Sequence, residues 1–122
     1  MLSERFVRNS LWASVPLNFS AAAVLLMPWL PPGRLLGLSP NVNPIYAGIA
    51  SYMIAFFGCT YIWLARAKTI DGPLLWAGAL GKIGFVLLGV ALWLAGVANG
   101  AVPALASVDL VFAMIWLAWL RG

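Results

Sequence analysis

Gly78-Ala-Leu-Gly-Lys82-Ile-Gly-Phe85 begins an apolar run that continues to Asn99-Gly100, turns there, and resumes from Pro103 to Val108-Asp109. Two ionisable side chains therefore sit inside segments whose composition suits a membrane span. A charge near a bilayer centre costs about 2.5 to 3.5 kcal/mol even on the gentlest scale. Lys82 and Asp109 are thus expected to form a paired structural contact or to belong to a working site, and the reading of the chain turns on them.

The rest of the sequence supports the membrane reading. Of 122 residues, 64% are hydrophobic and only 8% are charged, with a mean hydropathy of +0.99, whereas a soluble domain carries about 25% charged residues. The chain reads as an all-α integral membrane protein. Seven Lys and Arg against three Asp and Glu leave a net charge of +4, an excess better suited to orienting spans than to binding nucleic acid. The absence of histidine removes the commonest ligand for haem, zinc and copper. No cofactor and no metal are expected. The single Cys59 has no partner for an internal disulfide and reads as a small packing residue.

Four spans are expected, at about 9–30, 44–65, 73–97 and 103–120. The basic N-terminus and the apolar run after it resemble a signal peptide, but no small-x-small cleavage site precedes Pro31, so the run is read as a retained span. Pro16 and Pro28 fall inside it, and a bend near Trp12 to Pro16 is expected. Ser10, Ser14 and Asn18 share one face by their i, i+4, i+8 spacing and should look inward. Pro31 to Asn43 reads as the longest loop. Asn43-Pro44 supplies a cap and a first helical residue for the second span. There Ala47, Ser51, Ala55 and Cys59 form a ridge of small side chains, while Tyr46, Tyr61 and Trp63 occupy belt positions. Asp71-Gly72-Pro73 opens the third span, whose Gly78, Gly81, Gly84 and Gly89 give it a smooth face for helix packing. Trp116 and Trp119 lie near the exit of the fourth span, at belt positions.

With both termini on one side, that side holds Arg5, Arg8, Arg66, Lys68 and Arg121, and the other holds only Arg34. The excess of positive charge on the inner side places both termini in the cytoplasm, and the short loops favour a bacterial inner membrane. Counted from the cytoplasmic ends, Lys82 lies roughly 12 Å and Asp109 roughly 18 Å deep; counted from the outer turn they differ by roughly 13 Å. Three readings of the interior polar groups Asn18, Lys82, Asp109 and Ser14 follow. They form a structural ion pair or hub, or the lysine snorkels inward while the aspartate bonds a neighbouring helix, or they line a pocket that binds or moves something. No nucleophile and base, paired carboxylates, metal cluster or phosphate loop is present to suggest an enzyme.

Gly78-Ala-Leu-Gly-Lys82 in the third span and Val108-Asp109-Leu-Val-Phe-Ala113 in the fourth resemble the late-span pattern of small bacterial four-helix proteins of the DoxX-like kind. The resemblance implies architecture and carries over no catalytic residue. Small multidrug exporters have a similar span count, but their first-span glutamate is missing here. The expected molecule is a left-handed antiparallel four-helix transmembrane bundle. Its expected function is non-enzymatic, as an accessory subunit or an oligomeric structural component, with the lipid bilayer and a second copy or a larger membrane complex as partners. The alternative is a carrier or binder of a small or lipid-like molecule.

Overall fold

In the computed structural model, which describes Met1 to Gly122, every regular element is a helix. They are α1 (Glu4–Leu26), α2 (Pro31–Leu35), α3 (Pro44–Arg66), α4 (Gly72–Leu94) and α5 (Ala101–Leu120). All except α2 are long and apolar enough to cross a membrane.

Local chemistry explains where each helix starts and stops. Ser3 accepts a hydrogen bond from the Phe6 amide and Glu4 follows in the first turn, so α1 begins ahead of the expected residue 9. It also stops ahead of residue 30. Met27 leaves the helical region, as a residue before proline tends to, so Pro28 lies beyond the helix. Pro16 is accommodated within α1, leaving the carbonyl of Trp12 without its helical amide. The expected loop from Pro31 to Asn43 contains α2, which is laid back on Pro28: a Cβ on Gly33 would overlap the Pro28 backbone. Asn43 caps α3 and Asp71 caps α4 through their side-chain oxygens. Helix α4 ends at Leu94 and does not reach Val97. Gly96 adopts a φ of +76°, and the amides of Gly96 and Val97 turn back onto the carbonyls of Trp93 and Leu92, a glycine termination.

The long helices pack as two intimate pairs, α1 with α3 and α4 with α5, while α3 meets α4 sparsely. Along α1, Arg8 reaches Ala65, Asn18 reaches Ile54 and Ala22 reaches Ser51, so positions rise on one helix as they fall on the other. The pairs are joined where Trp116 of α5 donates to Ser10 of α1 and where Tyr61 of α3 lies over Gly78 of α4. The main apolar core, including Val7, Leu11, Leu64, Leu75, Ala113 and Trp116, lies in the half of the molecule that holds both termini. At the opposite end the Asn99 amide donates to the Leu35 carbonyl at 3.1 Å. Gly37, at φ +74°, leaves room for that side chain, since a Cβ there would lie 2.8 Å from its amide nitrogen.

The face of α3 that meets α1 departs from the expected ridge. Residues four apart on a helix rotate by about 40° per step, so a row from Ala47 to Cys59 turns by about 120° and cannot stay on one partner. Ser51 is buried, Ala47 and Ala55 are half-buried, and Cys59 is exposed. Cys59 is therefore not buried within the chain. Positions seven apart hold their face, and the buried residues Ser51, Gly58 and Ala65 follow that spacing, joined by Tyr61 and Leu64 in the last turns.

One contact with no signature in the hydropathy pattern fastens the termini end. The Arg8 guanidinium donates to the carbonyls of Ala65 at 2.9 Å, Ala67 at 2.6 Å and Lys68 at 3.2 Å, and also bonds Glu4 one turn earlier on α1. It thus satisfies the open carbonyls at the end of α3 with a cation, the favourable sign for a helix C-terminus. Arg8→Gln is expected to lower unfolding stability in micelles by about 1 to 3 kcal/mol, whereas Glu4→Gln, which removes only an exposed i, i+4 pair, should cost no more than about 0.5 kcal/mol. Equal losses would show that the carbonyl contacts contribute nothing.

Candidate functional site

Lys82 stands at the middle of the buried row Leu75, Lys82 and Gly89 on α4, a seven-residue spacing that commits it to the interior. On α5 the buried residues Ala106, Ala113 and Trp116 are spaced by seven and three, and Asp109 completes their row at threes and fours. Asn18 falls in the equivalent row of α1, after Val7, Leu11 and Ser14. Three helices thus deliver one cation, one anion and one amide to a common point.

The Lys82 ammonium donates to Asp109 Oδ1 at 2.5 Å and to Asn18 Oδ1 at 3.3 Å. The Asn18 amide in turn donates to the Ile54 carbonyl of α3 at 3.1 Å. Gly58 makes this approach possible, since a Cβ at that position would lie 3.3 Å from the Asn18 Cβ and 3.0 Å from the Phe19 ring. All four long helices are therefore tied through a single ammonium. The lysine side chain is 4% exposed and the aspartate 22%.

Aromatic rings close the remaining sides of the cation. The Lys82 Nζ lies 5.1 Å from the ring centre of Tyr61, 5.4 Å from that of Phe112 and 5.7 Å from that of Trp116, within the range where a ring face attracts a cation. The three rings are themselves in contact: Tyr61 and Trp116 are 5.0 Å apart between centres and Phe112 and Trp116 are 6.1 Å apart. Trp116 Nε1 is satisfied by Ser10 Oγ at 2.9 Å, and that hydroxyl donates to the Val7 carbonyl. A Cβ on Gly78 would lie 2.9 Å from the Tyr61 ring, so glycine there lets the ring settle onto α4.

Of the expected interior groups, Asn18, Lys82 and Asp109 are brought together, and Ser14 lies one turn of α1 away, fully buried, its hydroxyl without a partner. The expected packing positions divide. Ser51 bonds the Ala22 carbonyl, Gly78 faces Tyr61 and Trp116, and Gly89 faces Val102 and Ala106. Ala47 and Ala55 are half-buried and Gly81 is exposed. Tyr61 and Trp116, assigned to the aromatic belts by their closeness to helix ends, are instead 1% and 0% exposed. Their sequence signal lay in phase: Trp116 is seven residues beyond Asp109, and Tyr61 lies three after the buried Gly58.

The lysine's three N–H donors are met by two oxygens and a wall of rings, so the arrangement is built to hold its own cation. Two grooves on the molecule, of about 210 and 160 Å³, lie elsewhere, and none of the hub side chains lines either. Replacing Asp109 by Leu would strand a buried ammonium and is expected to cost about 3 to 5 kcal/mol, while Lys82→Met leaves a partly exposed carboxylate and should cost less. The double variant should recover most of the larger loss in micelle unfolding. Strictly additive losses would remove the pair from its structural role.

Compared with protein-family models, curated proteins and solved structures, the chain finds no match.

Proposed function

We propose that this chain is a non-enzymatic multi-pass protein of the bacterial cytoplasmic membrane that acts by association, as one subunit of a homo-oligomer or as an accessory subunit of a larger membrane complex. The four long helices would cross the bilayer as an antiparallel bundle, an arrangement supported by the falling register of α1 on α3. Such an architecture agrees with the DoxX-like resemblance. Both termini and the Arg66 to Lys68 loop would face the cytoplasm, because that end carries every Lys and Arg except Arg34 and Lys82.

The observation that carries the reading is where the small residues and the polar residues are spent. The polar groups are turned inward on one another, while α4 leaves Ala77, Gly81 and Gly84 exposed along its outer side. A Cβ on Gly84 would meet nothing within 4 Å. A helix that keeps its backbone bare on the outside presents a surface another helix can approach closely, and in lipid such close approach drives association. A second reading, a carrier with Asn18, Lys82 and Asp109 lining its pocket, draws support from the unpartnered Ser14 hydroxyl alone. Binding of a ligand there would have to displace Lys82 from two oxygen partners.

Two experiments test the proposal. With Cys59→Ser as background, Ser39→Cys and Lys68→Cys should be labelled by an impermeant maleimide from opposite faces of sealed vesicles; labelling from one face would end the four-pass topology. Gly81→Leu and Gly84→Leu should keep the thermal midpoint of the parent and shift the cross-linked or native-gel species toward the single chain. Ala55→Leu tests the half-buried side of α3 in the same assay. If all three variants assemble and co-purify as the parent does, association through these faces is wrong.

A further inference from the structure

The end opposite the termini combines features that the hub does not use. Pro28 and the loop after α2 stand off from the start of α3 and leave a groove of about 210 Å³, open on one side and lined by Leu25, Pro28, Leu38, Val42, Ala47 and Ala50 among others. A smaller groove of about 160 Å³ shares Pro28, Val42 and Ala47 with it and adds Trp29. An apolar cavity of about 150 Å³ is enough to hold a benzene-sized guest, so the larger groove has room for a length of hydrocarbon chain. Tyr46, which lines the larger groove, is 72% exposed and Trp29, which lines the smaller, 56%, the exposure expected of rings at headgroup level.

The charge at this end is simple. Arg34, on the last turn of α2, is exposed, makes no ion pair, and donates no side-chain hydrogen bond within the chain. Glu4 and Asp71 belong to the opposite end and Asp109 is taken by Lys82, so no carboxylate competes for the guanidinium. Arg34 lines neither groove itself, but the short helix that carries it borders the larger one. Gly33, its neighbour, packs on the groove residue Pro28, and the amide of the groove residue Leu38 donates to the Gly33 carbonyl at 3.0 Å. The latch from Asn99 to Leu35 fixes α2 further.

We propose that this groove is a binding site for one anionic phospholipid, with an acyl chain in the groove and the phosphate on Arg34. The assignment rests on the membrane-spanning reading above, and it commits to a lipid because a free fork of N–H donors on the helix that borders an apolar trough matches a phosphate joined to hydrocarbon. A zwitterionic lipid would fill the trough equally but would gain less from an unpaired cation.

The test is native mass spectrometry of the protein released from nanodiscs made of equal parts phosphatidylglycerol and phosphatidylcholine. The parent should retain phosphatidylglycerol preferentially. Arg34→Gln should lower that preference about fivefold, the effect of one cation near a lipid surface, without changing the thermal midpoint. Ala47→Phe or Ala50→Phe should fill the trough and remove the adduct of both lipids; whichever of the two keeps the parent midpoint is the one read, and Arg34→Gln stands independently of both. Retained lipid in the filled variant, or an unchanged preference in Arg34→Gln, overturns the proposal. A change in oligomer size with lipid retention unaltered also overturns it and gives the groove to a second copy. Resistance of the parent to alkaline extraction from membranes separates the two levels: an extractable parent refutes the spanning reading itself, whereas a resistant parent with unaltered lipid retention refutes only the lipid site.

Discussion

A buried ammonium that must be answered from every side is the constraint around which the helices are arranged. Lys82 lies in the interior row of α4, and its aliphatic stem brings the charge to a point that α1 and α5 also reach. Its side chain is only 4% exposed, and the protein supplies it with a carboxylate, an amide oxygen and three ring faces. Each partner imposes a further requirement. Asn18 needs Gly58 to give way, Tyr61 needs Gly78 to be bare, and Trp116 needs an acceptor for its indole N–H, which Ser10 provides. Ser10, Gly58 and Gly78, scattered along the sequence, thus support the surroundings of one charge.

Buried ion pairs contribute little net stability compared with well-packed apolar residues, because the desolvation of both charges offsets most of their attraction. What such a pair does supply is register. A slide of α4 against α5 by one turn would move Lys82 about 5.4 Å along the axis and remove it from Asp109, Asn18 and the rings together. The helices here offer few large buried side chains to define their alignment, with small residues such as Ala79, Ala106 and Ala113 prominent in the interior. In such smooth interfaces a single polar point is an economical way to select one alignment over its neighbours.

Much of the architecture was legible in the sequence, and the parts that were not share a cause. Hydropathy located four long apolar segments, and turn chemistry at Asn43-Pro44, Asp71-Gly72-Pro73 and Asn99-Gly100 placed their starts within a few residues. The three interior groups Asn18, Lys82 and Asp109 stood out because charged and amide side chains are rare in such segments. Helix ends depart from the hydropathy pattern where a local device overrides composition: Ser3 extends α1 into charged sequence, and Gly96 stops α4 within apolar sequence. The rings depart from the belt expectation because angular phase, and not position along a helix, decides which of them is buried. Tyr61 and Trp116 sit near helix ends, where belts occur, yet their spacing from Gly58 and from Asp109 turns them inward. The contact of Arg8 with the carbonyls of Ala65, Ala67 and Lys68 joins residues nearly sixty positions apart and leaves no periodic trace.

The order in which the hub residues leave the ribosome gives the arrangement a temporal meaning. Lys82 is made 27 residues before Asp109, an interval on the order of a few seconds at ordinary rates of translation. Throughout that interval the nascent chain holds a cation whose only finished oxygen partner is Asn18. A polypeptide cut short after α4 would lack the carboxylate that pairs with Lys82. Arrival of α5 both neutralises the lysine and covers it with Phe112 and Trp116, so completion of the last helix is registered chemically at a residue synthesised long before it.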